Sequence, residues 1–444
     1  MLRKNLISSV LTQIPVFILG IVSGVFSTRI LGEEAKGVFS LFQANYLLFL
    51  LIFSFGIQTG IVYFISTKKY TEEAVAGIAL IIFLASSTLL AILLMAIYFF
   101  ELSSFYMPEN YETIKYIVAL FLLFLLSFLN SLLTSFFQAR SKFNIINRVS
   151  IINSIINAAL FPILFFYLQS QSISVVEKFN YVLLTTLLLL LLNSAIWLYL
   201  YYKQIAVLPI ISSAIFTRIK EFVSYSLLIY IGMFVNFFNY RLDLWIVNKY
   251  LDEKQLSHYS LAANIAQIIL YLSVTIASVI LPKLANSDEE TRLRIFIQVS
   301  RFSFSFFLLL VFIAFTTSFF IIPFMYGKEF APAILPFQIL SVGILFSCIT
   351  QVFSMLLVAT NKNIYNIIAC SVGLVFTLIF NIYLIPKFQI NGAAIATLIS
   401  YFVIFIITYI FVLRKTTIKT RNLLIPTKQD FTNVCSLVIK SYNK

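Results

Sequence analysis

Long apolar runs alternate along the chain with short clusters of charge, Pro, Gly or Asn, and that rhythm predicts helices. Breaks at the clusters divide it into twelve spans, near 6–28, 39–65, 74–100, 114–137, 146–168, 179–202, 222–248, 256–280, 295–322, 333–358, 364–385 and 391–413. Crossing a hydrocarbon core about 30 Å thick takes about 20 mostly apolar residues at a rise of about 1.5 Å each. The runs have that length, whereas an outer-membrane barrel would show short alternating segments. The pattern therefore predicts an all-α integral membrane protein. The even number of crossings puts both termini on one side.

Composition strengthens this reading. Of 444 residues 61% are hydrophobic and 11% charged, and the mean hydropathy is +0.99, more apolar side chain than a water-soluble surface could hide. The first run, Leu6 to Thr28, exceeds a signal-peptide core and lacks an A-x-A-like cleavage site, so it reads as a retained first span. Cys348 and Cys370 fall within spans and Cys435 in the tail. With no C-x-x-C spacing, neither a disulfide framework nor a metal site is indicated.

Charge sets the orientation. Of the 31 Lys and Arg residues, 21 fall on the side of the termini and eight on the other, with Arg241 and Arg301 inside spans. Cytoplasmic loops are enriched in Lys and Arg, so both termini are expected in the cytoplasm of a cell (inner) membrane protein. A basic face against anionic lipid accounts for the net charge of +14 without a nucleic-acid partner.

An internal repeat appears on a constant shift of 220 residues. "LGEEAKGVFSL" sets Leu31, Glu33, Ser40 and Leu41 over Leu251, Glu253, Ser260 and Leu261, with Phe39 over Tyr259. The same shift sets Ala139 and Lys142 over Ala359 and Lys362. A six-span repeat keeps its orientation in both halves, which is the parallel-repeat design of some transporters. The expected organisation is a six-helix bundle over 1–202, a cytoplasmic connector over 203–221, a second six-helix bundle over 222–413 and a basic cytoplasmic tail over 414–444.

Polar residues inside spans carry the candidate chemistry, because a charge at the bilayer centre costs roughly 2.5–3.5 kcal/mol on insertion scales and usually faces a cavity or a partner. "NYRLDLW" places Arg241 and Asp243 in span 7, about 10 Å inside its outer end for Arg241. Two residues apart on a helix, they point to different sides. Arg241 reads either as a cavity cation or as a snorkelling side chain among Phe237 and Trp245. Asp243 reads either as a functional carboxylate or as a local partner of Asn239 or Tyr240. Span 5 carries Asn147, Ser150, Asn153, Ser154 and Asn157, a stripe that suits interhelical hydrogen bonding or cavity lining. Pro15 is expected to kink span 1, with gating or simple accommodation as its two readings.

Enzymatic motifs are missing. The sequence contains no GxxxxGK[ST], HExxH or GxSxG, which leaves ATP hydrolysis, zinc proteolysis and serine hydrolysis without support. The one histidine, His258, stands near the outer start of span 8 and reads as interfacial. Glu101, Glu109 and Glu112 read as a solvated acidic loop. The chain is therefore expected not to be an enzyme, and any energy source is an ion gradient or the substrate gradient.

Four stretches carry a family resemblance: "SVLTQIPVFILGIVSGVFSTRILGEEAKGVFSLFQANY", "NYRLDLWIVNKYLDEKQLSHYSLAANI", "VILPKLA" and "NIYLIPKFQINGAAIATLISY". Together they resemble the polysaccharide-repeat-unit (O-antigen, Wzx-type) flippases of the multidrug/oligosaccharidyl-lipid/polysaccharide exporter superfamily. The resemblance implies two parallel six-helix bundles, about twelve transmembrane helices in all, around a central cavity. It also implies movement of an undecaprenyl-diphosphate-linked oligosaccharide from the inner to the outer leaflet by alternating access. Glycan polymerase and chain-length proteins are the protein partners it suggests.

Arg241 matches an arginine that such flippases commonly keep in span 7, and Asp243 matches the acidic residue after it. Substrate contacts are expected at Arg241, Arg29, Asn45 and Asn239, and ion coupling, to proton or sodium, at Asp243. No other cofactor and no metal centre is expected. The related lipid II flippases carry arginines deeper in their first spans, whereas this chain has Ser23 and Ser27 there and Arg29 only at the outer end. Two other readings share some of these features: a cation-coupled multidrug antiporter of the same superfamily, and a membrane-embedded glycan polymerase or ligase. The repeat and the short outer links argue against the enzyme.

Overall fold

The computed structural model describes residues 2–101, 114–211 and 215–415, and among them every regular element is helical. The elements are α1 (Leu2–Ser54), α2 (Ile57–Ser66), α3 (Glu72–Phe99), α4 (Ile114–Ala139), α5 (Phe143–Gln169), α6 (Val175–Gln204), α7 (Ile215–Tyr250), α8 (Glu253–Ala285), α9 (Glu289–Tyr326), α10 (Ile334–Ala359) and α11 (Ile364–Lys415), with a 3-10 segment at Lys328–Ala333 before α10. Glu109, Glu112, Cys435 and the tail from 416 lie outside the described residues.

Nine stretches among the described residues are long and apolar enough to cross a membrane. Two of them, Pro15–Ser54 and Ile364–Arg414, run 40 and 51 residues, about twice the length of one crossing. Each is broken by a residue outside helical geometry, Gly32 (φ 65°, ψ −173°) in α1 and Gln389 (φ 53°, ψ −136°) in α11. These breaks fall in the links expected between spans 1 and 2 and between spans 11 and 12. Span 2 differs from its expectation, because Phe55 (φ 48°) and Gly56 (φ 65°) end α1 and a separate short helix, α2, follows. A positive φ at two consecutive residues cannot propagate a right-handed helix.

Helix starts follow from side chains that accept otherwise unpaired backbone N–H groups. Asp252 Oδ1 accepts from Gln255 N at 2.7 Å and opens α8, while Asp288 Oδ2 accepts from Thr291 N at 3.1 Å and opens α9. Ser174 and Glu177 form a reciprocal capping box at α6.

The chain divides into two compact units, residues 1–237 and 238–444, with the division inside α7. In the first, α1 packs on α5 and α6, and α4 on α2 and α6. Phenylalanines fill the core: Phe124, Phe128, Phe137 and Phe179 are fully buried, and Phe179 meets Phe39, Phe42 and Tyr116 edge-on. The Phe55–Gly56 break leaves carbonyls at the end of α1 without helical partners, and the Tyr230 hydroxyl donates to one of them, Leu51 O. The start of the expected connector is tied to this unit. Arg140 pairs with Glu72 at 2.5 Å and donates to Gln204 O at 3.2 Å, and Lys142 donates to the same carbonyl at 3.2 Å.

A clasp holds the α2–α3 link against the start of α7. Phe64 stacks on Tyr70 at 5.0 Å and on Phe222 at 4.8 Å, and Lys69 and Tyr70 both donate to the Glu221 carboxylate. Gly60 is required beneath it, since a Cβ there would fall 2.3 Å from the Phe222 ring.

In the second unit α10 is central and packs on α8, α9 and α11. The two halves of α11 fold back on each other at Gln389. Ser400 Oγ donates to Gly373 O at 2.9 Å across 27 residues, a separation that a continuous helix would stretch to about 40 Å. Close approach demands glycine twice: a Cβ on Gly373 would lie 2.2 Å from Ile404, and one on Gly392 would lie 2.3 Å from Leu384 O.

The 220-residue repeat is visible in backbone geometry. Ser141 (φ 55°) and Asn361 (φ 59°) occupy the left-handed region at equivalent positions. Each is followed by a lysine whose N–H reaches back to an equivalent carbonyl, Lys142 N to Phe137 O at 2.9 Å and Lys362 N to Leu357 O at 2.7 Å. Gly32, where α1 breaks, corresponds on the same shift to Asp252, which opens α8.

Gly392→Ala is expected to lower stability by about 1–3 kcal/mol through overpacking against backbone, read as a lower Tm of the solubilised protein. Gly24→Ala, with nothing within 4 Å of the new methyl, is the control and should leave Tm unchanged or raise it through helix propensity.

The clasp has a pH signature. Its bond from Lys69, then that from Tyr70, holds the Glu221 carboxyl below its ordinary value of 4.5, and the same pair raises Lys69 above 10.5. The Glu221 contribution is complete above its ordinary value and is lost as pH falls through the depressed one. The Tm difference between wild type and Glu221→Gln should therefore be constant from about pH 5 to pH 9 and close below about pH 4.

Candidate functional site

Helix α7 enters the second unit carrying Asn239, Arg241 and Asp243. Asn239 and Asp243, four residues apart, share a helix face and are 3% and 4% exposed. Arg241 stands to the side of that face, half-buried, with Nη1 3.5 Å from Asn264 Oδ1 on α8. The charges in "RLD" therefore engage different partners, as their spacing predicts.

Asp243 does not take Asn239 or Tyr240 as its partner. Its Oδ1 accepts from Leu244 N at 2.9 Å and its Oδ2 from the hydroxyl of Tyr259, a fully buried residue on α8. The Tyr259 hydroxyl also lies 3.4 Å from Thr397 Oγ1 on the second half of α11. Asn239 donates to Cys370 O at 2.9 Å and lies 3.5 Å from Thr377 Oγ1, which donates onward to Ser400 Oγ at 2.7 Å. Asn381 donates to Thr377 O at 2.8 Å, while its buried Oδ1 has no partner. Two chains of bonds thus tie α7 to its neighbours: Asp243 through Tyr259 of α8 toward Thr397, and Asn239 through Thr377 to Ser400 on the two halves of α11. Oxygen ligands suit hard cations. Among the described residues no three His, Cys, Asp or Glu side chains group as metal ligands.

Arg29, Asn45 and Pro15, the other site residues expected from the sequence, lie in the first unit. Arg29 is exposed on α1, three residues before the Gly32 break, and Asn45 is fully buried further along the same helix. Pro15 sits exposed in α1, whose only non-helical residue is Gly32. His258, five residues into α8, is buried: Nε2 lies 3.0 Å from Glu329 O, and the ring meets Phe330 edge-on.

The span 5 stripe divides in two. Ser154 and Asn157 donate to carbonyls of their own helix at 2.9 and 2.7 Å. Ser150 and Asn153 instead face a cavity of about 380 Å³ within the first unit, shared with Gln58 on α2, with Asn130, Ser131, Thr134, Ser135 and Gln138 of α4, and with Asn193 and Trp197 on α6.

Tyr259, Thr377, Thr397 and Ser400 are the network members that the sequence reading missed. One signal pointed to the first. The repeat sets Tyr259 over Phe39, so a hydroxyl appears only in the half that carries Asp243. Hydroxyls in spans usually bond to their own helix, as Thr134, Thr185 and Thr350 do here, and nothing local marks those that reach across.

With this architecture in view, the fold is that of a membrane transporter. The chain superposes on the lipid II flippase MurJ in an inward closed conformation with a TM-score of 0.73 at 17% identity, covering 94% of this chain and 89% of that one. On an inward-facing multidrug resistance MATE family transporter of the MOP superfamily the TM-score is 0.64 at 15% identity, covering 90% and 94%. A MOP superfamily transporter from Pyrococcus furiosus gives 0.57 at 14% identity, covering 93% and 95%. In sequence, 289 residues are 26% identical to an uncharacterized membrane protein of Methanocaldococcus jannaschii, covering 63% of this chain and 56% of that protein, so the match spans little more than half of the relative's length. The family model described as polysaccharide biosynthesis protein matches residues 2–287. The chain belongs to the polysaccharide biosynthesis protein family.

Tyr259→Phe removes the donor to a buried carboxylate oxygen and is expected to cost about 1–3 kcal/mol. The Tm of the solubilised variant should fall accordingly, and Asp243→Asn combined with Tyr259→Phe should lower it by less than the sum of the two single changes.

Proposed function

We propose that this protein is a flippase that moves an undecaprenyl-diphosphate-linked oligosaccharide from the inner to the outer leaflet of the cell membrane by alternating access, for surface polysaccharide biosynthesis. Membership of a polysaccharide biosynthesis family, joined to a transporter fold, carries the reading. The half-buried Arg241 adds the chemistry. Guanidinium offers paired donors that match a diphosphate or an acidic sugar, and a fixed cation offsets the loss of hydration as an anionic headgroup leaves water. Arg29 is the other cation proposed to contact the substrate. Asn45 and Asn239 act from buried positions, Asn239 by holding α7 on α11 beside the arginine.

Asp243 is the ion-coupling group in this proposal. Its carboxylate and the surrounding hydroxyls offer oxygen to a proton or a sodium ion, and a change in its charge would alter the bonds that tie α7 to α8 and α11. The lipid tail stays in the bilayer throughout. The chain performs no chemical step on the glycan; polymerase and chain-length proteins act on what it delivers. Both termini lie in the cytoplasm, where the basic loops meet anionic lipid.

The deciding experiment is the leaflet location of the lipid-linked repeat unit in a strain lacking the gene. Accumulation on the cytoplasmic side, relieved by the wild-type gene, is expected. Arg241→Ala at normal protein level should reduce delivery at least tenfold and Arg241→Lys by less. Asp243→Asn should remove the dependence of delivery on an imposed proton or sodium gradient. Repeat units that reach the outer leaflet unpolymerised would instead favour a polymerase, and lost resistance to cationic dyes with intact surface glycan would favour a drug antiporter.

A further inference from the structure

The cavity of the first unit differs from the network of the second in three respects: it is open, it carries no charge, and one of its amides, Asn130, is unspent, although Asn153 Nδ2 donates to Asn193 Oδ1 across it at 2.7 Å. Its volume of about 380 Å³ lies within the roughly 300–1,000 Å³ typical of small-molecule sites. Asn130 is 93% buried, since only 7% is exposed, and neither its Nδ2 nor its Oδ1 has a partner. A buried amide left in that state is costly unless a ligand or water completes it.

The hydroxyl wall of α4 is polarised in one direction. Ser131, Thr134 and Ser135 each donate their proton to a carbonyl of their own helix, to Phe128 O, Asn130 O and Ser131 O, all at 2.7 Å. Their oxygens are left as acceptors. Only Ser131 has an acceptance filled here, by Gln58 Nε2 at 3.1 Å. Uncharged walls offer no cation to a phosphate and hold no carboxylate to draw an organic cation, and their amides donate as well as accept. They suit a neutral ligand with many O–H donors. The buried indole of Trp197, 4% exposed and packed on Phe137 at 5.1 Å, adds the apolar surface that C–H faces of a sugar ring cover.

We propose that this cavity is a binding site for an uncharged sugar residue of the transported glycan, chemically separate from the arginine that meets the charged group. The proposal rests on the flippase reading for its biological meaning, but it can be tested apart from it. Water alone is the competing occupant.

The chain has two tryptophans, Trp197 and Trp245, so Trp245→Phe leaves Trp197 as the only indole. In that background the purified protein would be titrated with glucose, galactose, rhamnose, N-acetylglucosamine and N-acetylgalactosamine, and separately with tetraphenylphosphonium. At least one neutral sugar should change Trp197 emission saturably, and Asn130→Leu should weaken the midpoint at least tenfold. Gln58→Leu, on a different helix, replaces it if Asn130→Leu is not monodisperse. No saturable response to any sugar, a response that neither variant weakens, or saturation by tetraphenylphosphonium instead would overturn the proposal. A sugar response in a protein whose deletion leaves the lipid-linked repeat unit in its normal leaflet would uphold the pocket and remove the flippase reading. A leaflet defect without any sugar response would do the reverse.

Discussion

Hydrocarbon offers no hydrogen bonds, so each polar group placed within a span must be satisfied by the protein or by water the protein admits. The rest of this structure follows from that constraint. It makes every crossing a helix, since helices satisfy their own backbone. It also sorts the polar side chains into two kinds. Around Asp243 and Asn239 of the second unit they bond to one another, from Asp243 through Tyr259 toward Thr397 and from Asn239 through Thr377 to Ser400. In the first unit they line an open cavity in which Asn130 keeps both amide groups unpaired. A closed network fixes helices to each other and responds to a change of charge, whereas an open one is available to a ligand.

The two arrangements grew on one repeated backbone. Left-handed residues at Ser141 and Asn361, with matching bonds from Lys142 and Lys362, stand at positions related by the shift. Side chains on that backbone diverged. On the 220-residue shift Asp243 stands over Ser23, Tyr259 over Phe39, and Asn153 over Gly373. The acid with its donor therefore belongs to one half only. At the third pair the first half carries an amide that faces the cavity, while the second carries the glycine that lets the two strokes of α11 touch. Repeated helices supply a frame, and a few substitutions give each frame its chemistry.

Much of the candidate site was legible because charge in an apolar run is conspicuous. Arg241 and Asp243 stand out for that reason, and their two-residue spacing alone says that they face different ways. Their partners are another matter. Tyr259 and Thr397 come from sequence positions 16 and 154 residues beyond Asp243, and the number of hydroxyls in the spans is too large for composition to single them out. The division of span 2 at Phe55 and Gly56 was hidden for a related reason. The run is mostly apolar, and neither of its two glycines, Gly56 and Gly60, gives a sign that Phe55 also turns left-handed.

Hydropathy, charge bias and the internal shift by themselves determined the all-helical membrane class, the twelve runs and the doubled plan, because those properties depend on local composition and on spacing along the chain. Only the tertiary structure decided which amides are spent and which stay open, where α11 folds back so that Ser400 can reach Gly373, and which hydroxyl holds Asp243. These are contacts between helices far apart in sequence. They are set by how closely backbones approach at glycines such as Gly373 and Gly392, and no periodicity within a single helix records that distance.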